Sequence, residues 1–256
     1  MKSIFVSILA LISLVFLQFN GNIARYFRKR LSNQRGSTQT EGNYLNDILK
    51  FEAENQFSRE VVTVKSGENL PIGQVLGKIK SGTCPTTGTA GSNTGAGTCT
   101  GVTAGAKAKV GIYTLKCIIA QSGAGIFSVE DPDGFALPNA VVAVAYTNDQ
   151  INFTLNDGTP DFIVGDSFTV TIAAGSEYVV GIDNTAVDGS QDAYGILTAA
   201  CDATDGNTQA VAIVRDAMIV EANLTWLGTS PDMSTTEIAA AMAQLAAKNI
   251  IPVTEA

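Results

Sequence analysis

The residue types that carry most enzyme chemistry are missing or badly spaced in this chain. It has no histidine, so the commonest general base is missing and no Ser/His/Asp or Cys/His arrangement can form. The four cysteines lack the close spacing of a structural zinc site: Cys84, Cys99, Cys117 and Cys201. We therefore expect no catalytic residue, no cofactor and no Cys/His metal site. Cys84 and Cys99 could bridge in an oxidising medium, whereas in a cytoplasm we expect reduced thiols.

Carboxylates are the other residue type that could bind a metal. The Asp-Pro-Asp-Gly loop at residues 131–134 and the acids Asp157, Asp161 and Asp166 could supply oxygen ligands to calcium. Their spacing matches no EF-hand, and ordinary β-turns account for all of them, so we expect no metal. A carboxylate-dependent hydrolase would need acids that converge in a cleft, which a sequence cannot show.

Charge is distributed unevenly along the chain. The net charge is −8, but six of the 16 basic residues precede the first acid, Glu41. The remainder has ten basic residues against 24 acidic ones, a net charge of −14. Such a body would be repelled by a nucleic acid backbone, which argues against direct genome binding.

Short β-branched runs between turn signals predict a mostly β chain. The first run spans residues 60–64; a Lys-Ser-Gly-Glu-Asn turn follows it, and a second extended run covers residues 74–79. Ser234 and Glu237 form a capping box that opens a helix, Asn249 is a plausible stop, and Pro252 confines a last strand to an edge. Further strands are predicted at residues 110–119, 125–129, 140–145, 150–155, 167–172, 177–182, 195–200 and 209–214.

The order of these runs predicts a discontinuous domain. Residues 82–101 are rich in Gly, Thr and Ser, which predicts a flexible linker and not a phosphate cradle, since no helix and no Gly-Lys-Ser/Thr follows. Joining residue 79 directly to residue 177 would give an ordinary hairpin. We therefore expect residues 82–175 to be a linker and a sandwich-like β domain inserted at a hairpin tip.

The N-terminal 40 residues form a hydrophobic and basic leader. Residues 4–19 are almost entirely apolar and precede a basic patch at residues 25–30. This run is slightly short for a bilayer span, and no small-residue cleavage site follows it. It could be a signal-anchor, a poor signal peptide, or upstream sequence translated only if Met1 is the true start. In either membrane reading the basic patch would favour a cytoplasmic body.

Two blocks, SREVVTVKSGENLPIGQVLGKI at residues 58–79 and DGSQDAYGILTAACDATDGNTQAVAIVRDAMIVEANLTW at residues 188–226, resemble the phage head decoration protein family. The resemblance implies a small α+β fold, mostly β with one C-terminal helix, over residues 41–81 and 176–256. It also implies a homotrimer on the outer capsid surface of the virion, assembled in the host cytoplasm. Such proteins bind the major capsid protein at local three-fold sites and stabilise the expanded head against genome pressure.

Three parts of the chain have an expected role, and the resemblance supports only the first of them. Helical spacing of apolar residues over 44–54 predicts a short helix packed on its own domain, whereas the resemblance supports an N-terminal arm that orders against the capsid. Trp226 is expected to be a core or subunit anchor. The inserted domain could bind host surface glycans or enlarge the capsid contact. The arm residues are Tyr44, Leu45, Ile48, Leu49, Phe57, Ser58, Arg59 and Glu60.

The alternative to the decoration function is a membrane-anchored or secreted β-domain adhesion protein, motivated by residues 4–19.

Overall fold

The computed structural model describes residues 44–226 and 233–253, and within them the chain is mostly β with short helices. The predicted leader at residues 1–40 lies outside the described residues. In the part described, no helix is long and apolar enough to cross a membrane. The elements are α1 (Leu45–Ile48), β1 (Leu49–Glu52), α2 (Asn55–Ser58), β2 (Arg59–Val64), β3 (Asn69–Leu70), β4 (Val75–Lys78), β5 (Thr89–Ala90), β6 (Thr98–Ala104), β7 (Gly111–Ile119), β8 (Ile126–Glu130), β9 (Ala136–Val141), β10 (Ala145–Tyr146), β11 (Ile151–Asn156), β12 (Ser167–Ile172), β13 (Val179–Gly181), β14 (Ala193–Leu197), β15 (Cys201–Asp202), β16 (Thr208–Ile213), β17 (Ala217–Ile219), a 3₁₀ turn (Glu221–Asn223), α3 (Thr235–Ala246) and β18 (Ile250–Pro252).

A closed five-stranded barrel forms the centre of one lobe, with strand order β13-β2-β16-β14-β4. β2 and β16 pair antiparallel along their whole length, from Arg59 opposite Ile213 to Val64 opposite Thr208. The expected pairing of the runs on either side of residues 82–175 is confirmed, since β4 pairs antiparallel with β13. Gly77 in β4 admits no side chain, because an added Cβ would lie 2.0 Å from a backbone oxygen.

A three-stranded sheet and α3 pack beside the barrel. The sheet has the order β1-β17-β18, and β18 lies at its edge, as Pro252 predicted. The capping box is also confirmed: the Ser234 amide donates to Glu237 Oε2 at 2.7 Å, and the Glu237 amide donates back to Ser234 Oγ. Asn249 follows the helix with a φ of +62°, which ends the helical path.

A second lobe, here called the sandwich lobe, comprises β5 to β12 (residues 89–172). One sheet has the order β5-β12-β7-β8-β9 and the other has the order β10-β11-β6. Buried side chains from both sheets form a single hydrophobic cluster, so the sheets pack face to face. The described residues of the barrel and of its flanking sheet lie in two further clusters, and the barrel strands contribute to both.

The Gly-rich segment at residues 82–101 is not the flexible linker that its composition predicts. It forms β5 and the start of β6, and Cys99 in it is buried. Its glycines provide close packing: a Cβ at Gly97 would lie 2.1 Å from Phe162 Cζ and 2.5 Å from the Asn156 oxygen. The glycines of this low-complexity segment therefore let its backbone pack closely against the Phe162 ring.

Two further predictions differ from the structure. The strand predicted at residues 140–145 is interrupted, because β9 ends at Val141 and Ala143 takes a φ of +61° in the turn before β10. The helix predicted over residues 44–54 lasts one turn, after which β1 pairs with β17. β9 and β10 belong to different sheets, so the chain must turn between them, whereas β1 pairs with a strand far away in sequence.

Candidate interaction surfaces

The exposed face of the three-stranded sheet carries a row of large apolar side chains. Phe51 on β1 lies opposite Met218 on β17, and Met218 lies opposite Ile251 on β18. Their exposed fractions are 61%, 39% and 47%. We call these three residues the apolar row. The row is continuous across three strands, which is typical of an interaction surface and not of a solvated sheet face.

The other face of the same sheet explains why the row points outward. Ala217, Ile219 and Ile250 alternate with the row and are buried in a cluster with Met242 and Leu245 of α3. A β-strand sends successive side chains to opposite faces, so burying these residues forces Met218 and Ile251 outward. On β1 a register shift between Leu49 and Phe51 accompanies the outward position of Phe51.

The segment that carries Phe51 is fixed to the body by Ile48. Ile48 is fully buried, and the Val220 amide donates to its carbonyl at 2.8 Å. Gly73 makes room for it, since an added Cβ there would meet Ile48 Cδ1 at 2.5 Å. Asn223 Nδ2 donates to the Asp47 carbonyl at 2.9 Å. Residues 44–52 are therefore packed on their own domain in this structure.

An ion pair closes the end of this segment. Arg59 Nε donates to Glu52 Oε2 at 2.9 Å, and its Nη2 pairs with the other oxygen of the same carboxylate. The buried Ser58 hydroxyl also donates to Glu52 Oε2, at 2.9 Å. The hydrogen bonds from Arg59 outweigh burial and hold the pKa of Glu52 below its usual value. Ser58 and Arg59 thus serve the fold of the turn between β1 and β2.

Glu60 belongs to a second charged group beside an open groove. The Tyr194 hydroxyl donates to Glu60 Oε2 at 2.6 Å, and Arg215 pairs with the other carboxylate oxygen. This donation from Tyr194 is the largest cause of the lowered pKa of Glu60, while burial and the carboxylate raise the pKa of Tyr194 to about 12. Lys248 donates to two backbone carbonyls at 2.8 Å, and burial lowers its pKa. Every charge of this group has a structural partner.

The predicted arm residues thus differ in how accessible they are to a partner. Tyr44 and Phe57 are exposed, whereas Ile48 and Ser58 are buried. Leu45 and Leu49 are half-buried, and Arg59 and Glu60 are engaged in the ion pairs just described. Of these eight predicted arm residues, only Tyr44 and Phe57 are exposed while the segment stays packed.

Trp226 is half-buried and packs against the hydrophobic cluster that includes Ala241, Met242 and Leu245 of α3. It lines an apolar groove together with Leu224, Ile238 and Val253. The described part of the structure therefore places it against the core of its own lobe.

Sequence reasoning missed Met218 and Ile251. Each lies in a strand of three residues, too short to show a period by itself. A signal was present in Ala217-Met218-Ile219, where a large side chain alternates with two that are buried. A second missed pair, Val61 and Val211, is exposed where β2 and β16 lie opposite each other.

Two of the carboxylates considered for calcium, Asp131 and Asp166, are used inside the fold. Asp131 accepts from the amides of Asp133 and Phe135 at 3.0 and 2.9 Å and from Lys109 Nζ at 2.5 Å. Asp166 accepts three backbone amides at 2.9 to 3.0 Å. Within the described ranges no group of three or more potential ligands could hold a metal ion. All four cysteines are free thiols, and all but Cys84 are buried.

Comparison with known proteins gives one informative match. A family model described as "Bacteriophage lambda head decoration protein D" matches residues 38–126 and 140–250. The match covers most of the sandwich lobe and leaves out residues 127–139. No curated protein matches the chain.

Two solved structures also show similarity. They are crystal structures of Xanthomonas campestris FlgL in space groups H3 and C2, with 15% and 16% identity and TM-scores of 0.29 and 0.27. The matches cover 41% and 44% of this chain but only 34% and 32% of the FlgL chains. At these TM-scores they carry no argument about fold or function.

Proposed function

Because the chain belongs to the family of the bacteriophage lambda head decoration protein D, it is a phage head decoration protein, and we propose that it cements the expanded capsid at local three-fold sites. The family is structural and not enzymatic, and its place is the capsid of the virion. We further propose that the chain is assembled in the host cytoplasm as a homotrimer, that it binds the major capsid protein, and that it stabilises the head against genome pressure.

The observation that carries this proposal is the apolar row. Phe51, Met218 and Ile251 form a rigid, exposed surface on a sheet whose other face is firmly packed. Burying one such side chain fully contributes roughly 1.5–3 kcal/mol. A trimer repeats that contact three times, so attachment through weak individual contacts becomes strong in combination. We assign the row to the contact with the major capsid protein.

The N-terminal arm and Trp226 are assigned in the same way. Tyr44 and Phe57 are exposed and flank the segment that carries Phe51 in sequence, so we propose that they extend the capsid contact. Trp226 lines a groove that is mainly apolar, and we propose that a neighbouring subunit of the trimer covers it. A lone tryptophan at the edge of a core is a common anchor for such contacts.

We also propose that residues 82–175 are an insertion into the decoration domain. Ser81 bridges Ala174 at the base of the segment, and β4 and β13 pair as a hairpin without it. The separate hydrophobic clusters support independent folding of the two lobes. The family match runs through most of this segment, so the boundary rests on the strand pairing.

The test is binding of the full chain to purified expanded heads that lack a decoration protein. We expect Phe51→Ser with Met218→Ser to lower affinity by about 100-fold or more, because two apolar contacts of roughly 1.5–3 kcal/mol each are lost. Phe135→Ser is the matched control, since Phe135 is equally exposed but lies in the sandwich lobe. Bound copies per head are measured by quantitative electrophoresis, and head survival by heating. Equal binding by the double variant and the wild type would refute the assignment of the row.

A further inference from the structure

The tip of the sandwich lobe exposes a second apolar surface. β12 runs from Ser167 to Ile172 and is followed by Ala174, which bridges Ser81 where the lobe joins the barrel. β7 runs antiparallel to β12, so its last residue, Ile119, lies at the opposite end. Six strand residues at about 3.3 Å each place that end about 20 Å from the connection.

A β-bulge exposes two isoleucines at this end. The pairing of β7 with β8 shifts register between Cys117 and Ile119. Strict alternation would bury one of two consecutive residues, but Ile118 and Ile119 are both more than 40% exposed. Bulges commonly redirect a side chain at the end of a strand.

A tight turn exposes two more aliphatic side chains beside them. Ile163 and Val164 begin a turn in which Gly165 has a φ of +104° and the Asp166 amide donates to the Ile163 carbonyl at 3.1 Å. The buried Asp166 carboxylate accepts the Ile163 amide at 3.0 Å and two further amides of the Gly-rich segment. This turn is therefore fixed, although Val164 is 62% exposed.

The two pairs of side chains are neighbours in space. The Gly165 amide donates to the Cys117 carbonyl at 3.0 Å, and the Cys117 amide donates to the Asp166 carbonyl at 2.8 Å. We call Ile118, Ile119, Ile163 and Val164 the tip patch. Four β-branched side chains on a rigid backbone lose little conformational entropy on binding, which favours a docking role.

Charge indicates what kind of partner fits the tip patch. Asp157 and Asp161 are exposed in the loop before the turn, and no described cation pairs with them. Asp157 reaches the turn after β7, since a Cβ at Gly123 would lie 3.7 Å from its carboxylate. One lysine, Lys116, is exposed on β7 two residues before Ile118, but the whole sandwich lobe has three lysines against seven acids, a net charge of −4. A second copy would bring acid against acid, whereas a basic partner is complementary.

We propose that the tip patch binds a different protein, one whose surface has an apolar centre rimmed by lysine or arginine. The patch has no exposed aromatic ring on which a sugar could stack, and its acidic rim disfavours an anionic lipid surface. This interaction is separate from capsid attachment. It rests on the proposed function only in that the phage particle is what displays the tip patch to the partner.

The test uses a photo-reactive residue in the full chain. Val164→p-benzoylphenylalanine is incorporated into particles, which are illuminated with cells of the host that the phage infects, and crosslinked peptides are identified by mass spectrometry. We expect a different protein, crosslinked in a segment that contains Lys or Arg among apolar residues. Asp157→Lys with Asp161→Lys should lower the yield about tenfold, because reversed rim charges slow association. Glu130→Lys, on the same lobe near the barrel, should leave the yield unchanged.

Other outcomes would overturn the proposal. They are crosslinks to a second copy, to lipid or to glycan, no crosslink at all, or a yield that the Asp157/Asp161 variant does not change. The same reagent at Ile112, an exposed residue of β7 at the barrel end, controls for non-specific capture. Copies per particle are counted first. If particles lack the chain, capsid attachment is refuted, and the free full chain is illuminated with the cells to decide the tip patch.

Discussion

Ile48→Ala tests whether residues 44–52 are packed in solution as they are in the structure. Ile48 is fully buried in the cluster that also contains side chains of α3 and β17, and Gly73 leaves no spare space beside it. The substitution removes three carbons, which at about 0.8 kcal/mol each gives about 2.4 kcal/mol of lost transfer free energy. The cavity left behind adds to this, so we expect the free energy of unfolding to fall by about 2–5 kcal/mol.

The assay is equilibrium urea unfolding of the full chain, followed by circular dichroism and by fluorescence of the single tryptophan. Tyr44→Ala is the control, because Tyr44 is 65% exposed and its loss should change stability by less than about 0.5 kcal/mol. Ile48→Val should fall between them, at about 0.5–1.5 kcal/mol. If Ile48→Ala costs no more than Tyr44→Ala, the segment is not packed in the free protein and the reasoning fails.

Two further predictions concern the sandwich lobe. Gly97→Ala should destabilise it by about 1–3 kcal/mol, because the new Cβ would overlap Phe162 and a backbone oxygen, whereas Gly206→Ala meets no atom within 4 Å and should be neutral in the same urea assay. Burial alone would raise the pKa of Asp166, but its three amide donors outweigh burial and hold that pKa below the usual value. Its contribution is therefore present above the unfolded pKa of about 3.9 and is lost as pH falls through the lower folded pKa. Asp166→Asn should cost about 1–3 kcal/mol at pH 6, and its deficit against the wild type should shrink as pH falls below about 4; a deficit independent of pH would contradict this.

Elements whose signals are local could be predicted from the sequence. The capping box of Ser234 and Glu237 lies within one turn of helix, and the strand over residues 167–172 alternates six residues between two turn signals. In each case the deciding contacts lie within a few residues of the pattern. Local chemistry and the final fold agree there, as they do in most natural elements.

The parts that could not be predicted depend on distant contacts. The Gly-rich segment forms β5 and the start of β6 because β12 and β11 supply hydrogen-bond partners, and because Phe162 fills the space its glycines leave. The apolar row joins Phe51 to Met218 and Ile251, which lie far away in sequence. No spacing rule relates these positions, so only the strand register brings them together.

The packed and the extended states of residues 44–52 make opposite demands on Ile48. If the segment stays packed when the chain binds the capsid, Ile48 acts through the core and Phe51 makes the contact. Ile48→Ala should then lower stability, while Phe51→Ser lowers capsid affinity and leaves stability unchanged. If the segment is instead an extended arm already in the free protein, the core of the free protein does not depend on Ile48. Ile48→Ala should in that case lower affinity without lowering stability. Measuring both quantities on both variants separates the two states, because each predicts a different pair of losses.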